Sequence, residues 1–334
     1  MKKHKKLIFA ITLPIAIIAV IFFGIRWYFR LPVLSYYTNS EKAFVIPEIG
    51  KGFVPQGFDY HEQTNTYFVS GYAQKGASPV FLISEDKQSK KIFLKESDGE
   101  LYDGHGGGIA LFDDYIYIAG SSDYCFYVYS LTDALNAENE EAIECLGAFS
   151  TKHAKGDYVK VSCVTTDGEY IYAVEFFSDP DYKTLKSHKL TTNAGDYNQA
   201  IAVAYKLNAS AEFGIESAPA CAYSLPDKVQ GLEIHNGKAY LSRSLGLKHS
   251  TVSVYDISKS NQEKTVQLLG QDLPLYAFDS HSLIAEKKIQ PMSEEMIILD
   301  GKLLVMSEFA CNKYILGKFA SAKWCYATPL EYFS

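Results

Sequence analysis

The sequence is poor in the short motifs that mark many catalytic and metal sites. None of its six cysteines forms a Cys-x-x-Cys pair, which excludes a zinc ribbon or a dithiol redox motif. It contains no Gly-x-Ser-x-Gly and no His-Glu-x-x-His, and its eight histidines show no metal-ligand spacing. A nucleophile-elbow hydrolase and a metal centre are therefore not expected, and no motif names a cofactor. Basic residues are scarce beyond the N-terminus. Of the 32 Lys and Arg, six lie in residues 1–30, which hold no Asp or Glu, so 26 are left to face all 39 acidic residues. That balance excludes a nucleic-acid partner, because phosphate-backbone affinity comes from clustered cations. Tryptophan is rare as well, at two, against 25 Tyr and 20 Phe. Tyr and Phe suit pleated, half-buried surfaces, and their abundance predicts an all-β protein.

What the N-terminus does contain is one long apolar run. Leu7 to Ile25 carries no charge and follows Lys2, Lys3, Lys5 and Lys6. At about 1.5 Å per residue it reaches roughly 28 Å, close to the ~30 Å of a hydrocarbon core. Pro14 is tolerable in such a helix. The run ends in Gly-Ile-Arg-Trp-Tyr-Phe-Arg rather than the small residues of a cleavage site, so an uncleaved signal anchor is expected in preference to a signal peptide. The positive-inside rule places the basic tip in the cytoplasm and residues 31–334 outside, anchored in the cell membrane, with Trp27, Tyr28 and Phe29 as an aromatic belt at the far interface.

In that compartment the cysteines are free to form disulfides. Cys125 with Cys145 and Cys311 with Cys325 each bracket an expected hairpin, and pairing there stands beside the alternative of six buried thiols.

Beyond residue 50 an internal repeat sets the architecture: a short strand, a tight turn, then a β-rich strand. The copies start at Val54-Pro55-Gln56-Gly57, Gly106-Gly107-Gly108, Val161-Ser162-Cys163, Val229-Gln230-Gly231 and Met292-Ser293-Glu294-Glu295. Their turns include Asp167-Gly168, Asn236-Gly237 and Asp300-Gly301, strong hairpin signals because a type I′ turn needs positive φ at both central residues. Third strands follow, such as Phe126–Leu131 and Thr251–Asp256, and weaker fourth strands are expected near Ile143–Leu146 and Thr265–Leu268. Four antiparallel strands per unit describe a β-propeller blade. With Gly57, Gly108, Cys163, Gly231 and Glu295 as equivalent positions, the intervals are 51, 55, 68 and 64 residues, and 39 residues remain. The last blade is short by about one strand, which residues 31–52 can supply. A single propeller domain of five blades is expected over 31–334, or six if residues 31–52 hide a degenerate blade. The polar insertion Phe176–Gln199 reads as a loop over one mouth of the ring.

The first residues of each innermost strand should face one another across the ring: Gln56, Ser162, Gln230 and Glu294, with His105 and Lys160 nearby. Such a mixed amide, hydroxyl, imidazole and carboxylate lining suits a small polar ligand. Arg243 and Glu308 follow the second strands of the fourth and fifth repeats; they join the candidate ligand-binding residues, with an ion pair locking neighbouring blades as the structural alternative.

Gln230–Ser244, and Glu294–Met296 through Ser307-Glu308, resemble blades of exported, membrane-anchored bacterial β-propeller proteins of uncharacterised function. Val54-Pro55-Gln56-Gly57-Phe58 is similar to the Gln-Gly-Leu segment of the five-bladed glutaminyl cyclotransferases, and Ser293-Glu294-Glu295 matches that family's acidic catalytic segment loosely; its Glu-Gly and Trp-Gly segments are absent. Two functions remain open on this reading. The propeller is a tethered module that binds a ligand or a protein, or it is an enzyme, cyclotransferase-like or a hydrolase, working at the channel mouth. In the second case Glu294 is the acid/base and Gln56, His105 and Gln230 orient the substrate.

Overall fold

The computed structural model describes residues 2–153 and 156–334, with side chains from residue 12 onward. The side chains of Lys2, Lys3, Lys5 and Lys6 lie outside the described residues. Five antiparallel blades stand around one axis, with the strands of each running outward from axis to rim in the order given. Blade one is Phe53–His61, Thr66–Ala73, Pro79–Ile83 and Ser89–Leu94; blade two is Ile109–Phe112, Tyr115–Gly120, Cys125–Ser130 and Cys145–Ser150. Blade three is Cys163–Thr166, Tyr170–Val174, Ala200–Leu207 and Ile215–Leu225; blade four is Val229–His235, Lys238–Arg243, His249–Asp256 and Leu283–Pro291. Blade five is Ser293–Leu299, Lys302–Ser307 and Trp324–Pro329, completed at its rim by Glu41–Val45 from the other end of the chain. There Phe44 stands opposite Cys325 and Val45 opposite Trp324. The N-terminal strand thus closes a ring of five by covering the edge of the last strand, and itself becomes the rim strand of blade five.

Strand alternation explains why every blade is apolar on both faces. Phe68 faces the core between blades one and two, while its neighbours Tyr67 and Val69 face the core between blades five and one. Ile116 and Ile118 turn one way and Tyr117 and Ala119 the other. The buried apolar residues accordingly fall into five clusters, one between each pair of adjacent blades. The Asn236-Gly237 and Asp300-Gly301 hairpins have positive φ at both residues, as the type I′ turn requires.

At the axis the inner strands meet closely. A Cβ on Gly57 would stand 2.6 Å from the Gly108 Cα, one on Gly108 3.0 Å from the Cys163 Cα, and one on Gly231 2.8 Å from the Glu295 Cα. The five positions that align in the sequence are therefore one layer of the ring, and side chains are excluded from it at three of them. Glu295 fills the space left. Its Oε2 accepts the Phe58 N–H of blade one at 2.8 Å and the Ile109 N–H of blade two at 3.3 Å, and its Oε1 accepts the Cys163 thiol of blade three at 3.3 Å. One carboxyl group on blade five thus ties together three other blades. Burial pushes its pKa up, opposed by these donors. A layer below, Asp59 accepts the Leu111 N–H at 2.8 Å and Glu233 the Ile298 N–H at 3.3 Å, which repeats the device between blades one and two and between four and five.

Several expectations are corrected. Thr265–Leu268 does not form the rim of blade four. It belongs to a hairpin, Gln262–Leu268 with Gln271–Ala277, whose second strand adds in parallel to the rim of blade three; Leu283–Pro291 takes the blade-four position. All six cysteines are free thiols. Cys125 lies opposite Ser150 and Cys145 opposite Tyr129, near opposite ends of one ladder, so the sequence spacing that suggested a bridge does not bring the sulfurs together. Phe29 is not part of an exposed belt: it is 3% exposed and packs on Phe309 at 4.9 Å between ring centres, while Trp27 and Tyr28 remain exposed.

The insertion after blade three's second strand is pinned from beneath. His188, buried at its middle, has Nδ1 2.9 Å from Glu175 Oε1 and Nε2 3.7 Å from Asp157 Oδ1. Burial opposes charging the imidazole, but the Asp157 and Glu175 carboxylates outweigh it and raise the pKa to about 9.

Two outcomes follow from these contacts. Glu295→Ala leaves two buried N–H groups without a partner and should lower unfolding stability by about 3 kcal/mol or more, measured by denaturation in detergent micelles. Glu295→Gln, which keeps an acceptor facing Phe58 and Ile109, should cost distinctly less. Because the folded pKa of His188 lies above the ~6.5 of an unfolded histidine, its contribution is complete below about pH 6.5 and is lost as pH rises toward 9. The melting temperature should fall across that window, and His188→Gln should flatten the fall.

Candidate functional site

The inner strands of blades one, four and five begin with a bulge. Gln56 lies between the paired positions Pro55 and Gly57, and Gln230 between Val229 and Gly231; Glu294 and Glu295 lie between Ser293 and Met296. A bulged residue leaves the ladder and is re-aimed, here toward the axis. Gln56, Gln230 and Glu294 consequently line one cavity of about 340 Å³, together with His105, Ser162 and Glu308. Below them the glycine layer and Glu295 close the axis, so the cavity is a bowl open at one end. The insertion reaches over that end, with Phe176 and Tyr182 on its wall.

Arg243 is not in the bowl. Its guanidinium bonds Glu286 at 3.1 Å within blade four and the Asp227 carbonyl at 3.2 Å, so the expected pairing with Glu308 does not form. The reason is register: Leu283–Pro291 packs beside His249–Asp256 and brings Glu286 opposite Ser253, within reach of Arg243.

A hydrogen-bonded chain crosses one wall. The Gln56 amide donates to Glu308 Oε2 at 3.2 Å and to the Pro55 carbonyl at 2.8 Å, and its Oε1 lies 2.6 Å from His105 Nε2. An amide oxygen only accepts, so His105 carries its proton on Nε2 and presents Nδ1 as an acceptor. Although part of the His105 ring is exposed, desolvation and the nearby Lys313 charge hold its pKa below the ordinary value; its face stacks on Tyr72 at 4.5 Å. Lys313 donates to the Tyr72 hydroxyl at 3.0 Å.

The carboxyl pair dominates the electrostatics. Glu294 is 3% exposed, and burial followed by the charge of Glu308 drives its pKa far up. Glu308 is raised as well, by desolvation, with Lys313 opposing. In one desolvated site the two carboxyl groups do not both ionise cheaply, and burial together with the Glu308 charge favours the protonated form of Glu294. The bowl therefore offers a protonated acid beside an acceptor, two amides, an imidazole nitrogen and the Lys160 and Lys313 ammonium groups. Among the described residues no group of three His, Cys, Asp or Glu comes together to hold a metal.

Tyr72, Ser121, Ser244, Lys313 and Tyr314 also line the bowl. Tyr72, Ser121 and Ser244 stand at or just past the ends of second strands, as Glu308 does, so the repeat itself carried a signal for them that residue chemistry alone did not.

No family model and no curated protein matches the chain. Among solved structures it is similar to the glutaminyl cyclase of Myxococcus xanthus, at 10% identity and TM-score 0.41, over 86% of this chain and 94% of that one. It is also similar to the PQQ-bound aldose sugar dehydrogenase of Streptomyces coelicolor, at 14% identity and TM-score 0.40, over 80% of this chain and 78% of that one. The likeness is one of fold.

A proton held on Glu294 is directly observable. The infrared difference spectrum between the protein and Glu294→Gln at neutral pH should contain a protonated carboxyl band, over and above those of other buried carboxyls such as Glu295. Glu308→Gln, by deleting the neighbouring charge, should move the titration of Glu294 to lower pH while burial keeps it above the ordinary glutamate value.

Proposed function

We propose that the protein is a membrane-tethered, extracytoplasmic propeller whose bowl binds a small zwitterionic ligand of amino-acid or dipeptide size. The convergence of Gln56, His105, Ser162, Gln230, Glu294 and Glu308 on one bowl-shaped cavity carries this reading. Six side chains from five blades meet there, in a cavity of a size that suits a small molecule rather than a protein surface. The Glu294 and Glu308 carboxyls suit a ligand ammonium, and Lys160 and Lys313 suit its carboxylate. The N-terminal helix supports the tether: the span Thr12–Asn39 is long and apolar enough to cross a membrane.

A second reading is favoured by one observation, the burial of Glu294 beside Glu308, which raises its pKa. A carboxyl group whose pKa is raised to hold its proton at neutral pH is equipped as a general acid. In an enzyme of this kind Glu294 would transfer the proton, with Gln56, His105 and Gln230 orienting an amide-bearing substrate.

Calorimetry on the full chain in detergent micelles tests both. Amino acids, dipeptides, glutaminyl dipeptides and monosaccharides are titrated in turn. Saturable binding of an amine-bearing ligand, weakened about tenfold (~1.4 kcal/mol) by Glu308→Gln, is expected. Binding that ignores Glu308→Gln and Gln56→Ala, or none across the panel, overturns the assignment. Turnover of a glutaminyl peptide that survives Glu294→Gln removes Glu294 from any mechanism.

A further inference from the structure

The tether does not leave the propeller at an arbitrary point. Its last turns rest on the two loops that build the rim of the bowl, residues 244–249 of blade four and 308–321 of blade five. His249 Nε2 lies 2.9 Å from the Phe29 carbonyl; Arg26 donates to Ser321 Oγ at 2.6 Å, and Arg30 to the Ala320 carbonyl at 3.4 Å. Glu308 lines the bowl and the next residue, Phe309, packs on Phe29. Leu245 and Gly246 line the bowl, and Leu247 lines a groove against Gly24, Ile25, Tyr28 and Phe29. One or two residues separate the ligand cavity from the helix.

The contacts also set a depth. Phe319 meets Phe22 at 5.5 Å between ring centres, and Leu316 lies beside Gly24 and Ile25. Phe22 is three residues inside the apolar run, about 4.5 Å at the helical rise. If that run occupies hydrocarbon, the short helix Ile315–Phe319 reaches the edge of the hydrocarbon with it. The exposed side chains of these loops suit that position: Ile315 is 64% exposed, Leu247 48% and Leu245 42%. Lys248, Lys313 and Lys318 stand exposed among them, on a domain that is otherwise acidic. Apolar tips set among ammonium groups match the acyl boundary and phosphate layer of a bilayer.

We propose that the face bearing the bowl is a bilayer-docking surface, with loops 244–249 and 312–319 seated in the interfacial layer and the cavity opening at the lipid surface. The proposal rests on the tether reading above. It assigns Leu245, Leu247 and Ile315 to contact with lipid, and it means that the ligand reaches the bowl along the membrane surface rather than from bulk solution on the far side.

Bromolipid quenching in vesicles of mixed phosphatidylcholine and phosphatidylglycerol tests docking and tether separately, using the full chain. With Trp324→Phe, Trp27 is the sole tryptophan and reports the helix. With Trp27→Phe as well, Leu247→Trp and Ile315→Trp report the rim, and Glu62→Trp reports a turn at the opposite end of blade one. The expected result is loss of emission at 247 and 315 comparable to that at Trp27, with none at 62. Quenching at Trp27 with none at 247 or 315 overturns the docking proposal and leaves the tether standing. No quenching at Trp27 overturns both. Equal quenching at 62 and at the rim overturns the orientation. Retention of the far-ultraviolet β spectrum in each variant shows that a negative result is not misfolding.

Discussion

The structure depends on how five inner strands can meet at one axis. Backbones that converge this closely leave no room for side chains at Gly57, Gly108 and Gly231, yet they carry N–H groups that water cannot reach. Glu295 answers both conditions with one side chain, filling the space and accepting from Phe58, Ile109 and Cys163. Because the acceptor comes from blade five and the donors from blades one, two and three, the interaction forms only when the ring is closed. It therefore couples the ends of the chain, as does the pairing of Glu41–Val45 with the last strand.

The closed axis also creates the site. A ring open through its centre would be a solvated channel, whereas a plugged one is a bowl in which polar groups are held away from bulk water. Glu294 precedes the plug in sequence and sits above it, and the same bulge that lets Glu295 reach the axis aims Glu294 into the cavity. The raised pKa values of Glu294 and Glu308 follow from that enclosure, with the charge of Glu308 added for Glu294. Fold stability and site chemistry thus share one feature, a two-glutamate bulge at the head of blade five. The His188 clamp contributes at the other end of the cavity by holding the insertion that carries Tyr182 over the mouth.

Much of this was legible in the sequence because it is periodic. Alternation, Asn-Gly and Asp-Gly turns and five aligned starts gave the blade count, the closing strand near the N-terminus and the Gln56, Ser162, Gln230 and Glu294 layer. The misreadings occur where a local pattern has two partners to choose between. Thr265–Leu268 alternates as well as any rim strand, and only the packed neighbour decides which sheet it joins. Arg243 was paired with Glu308 by position in the repeat, but its partner, Glu286, came from a segment rich in Lys and Glu that does not look like a rim strand. The cysteine spacing suggested bridges, but ladder register keeps Cys125 from Cys145, and Cys311 and Cys325 are free thiols as well.

By itself the sequence determined the elements, the ring and the ends: a basic apolar helix, five repeats, an acidic Tyr-rich body. It could do so because side-chain alternation, turn φ angles and helix length are local properties. Tertiary structure decided that the axis is sealed by Glu295, that Glu294 and Glu308 share a desolvated bowl, and that the helix meets the propeller at the rim of that bowl. The seal and the helix contacts join residues far apart in the chain that only closure of the ring brings together, while Glu294 and Glu308, close in sequence on blade five, are desolvated only by the blades packed around them.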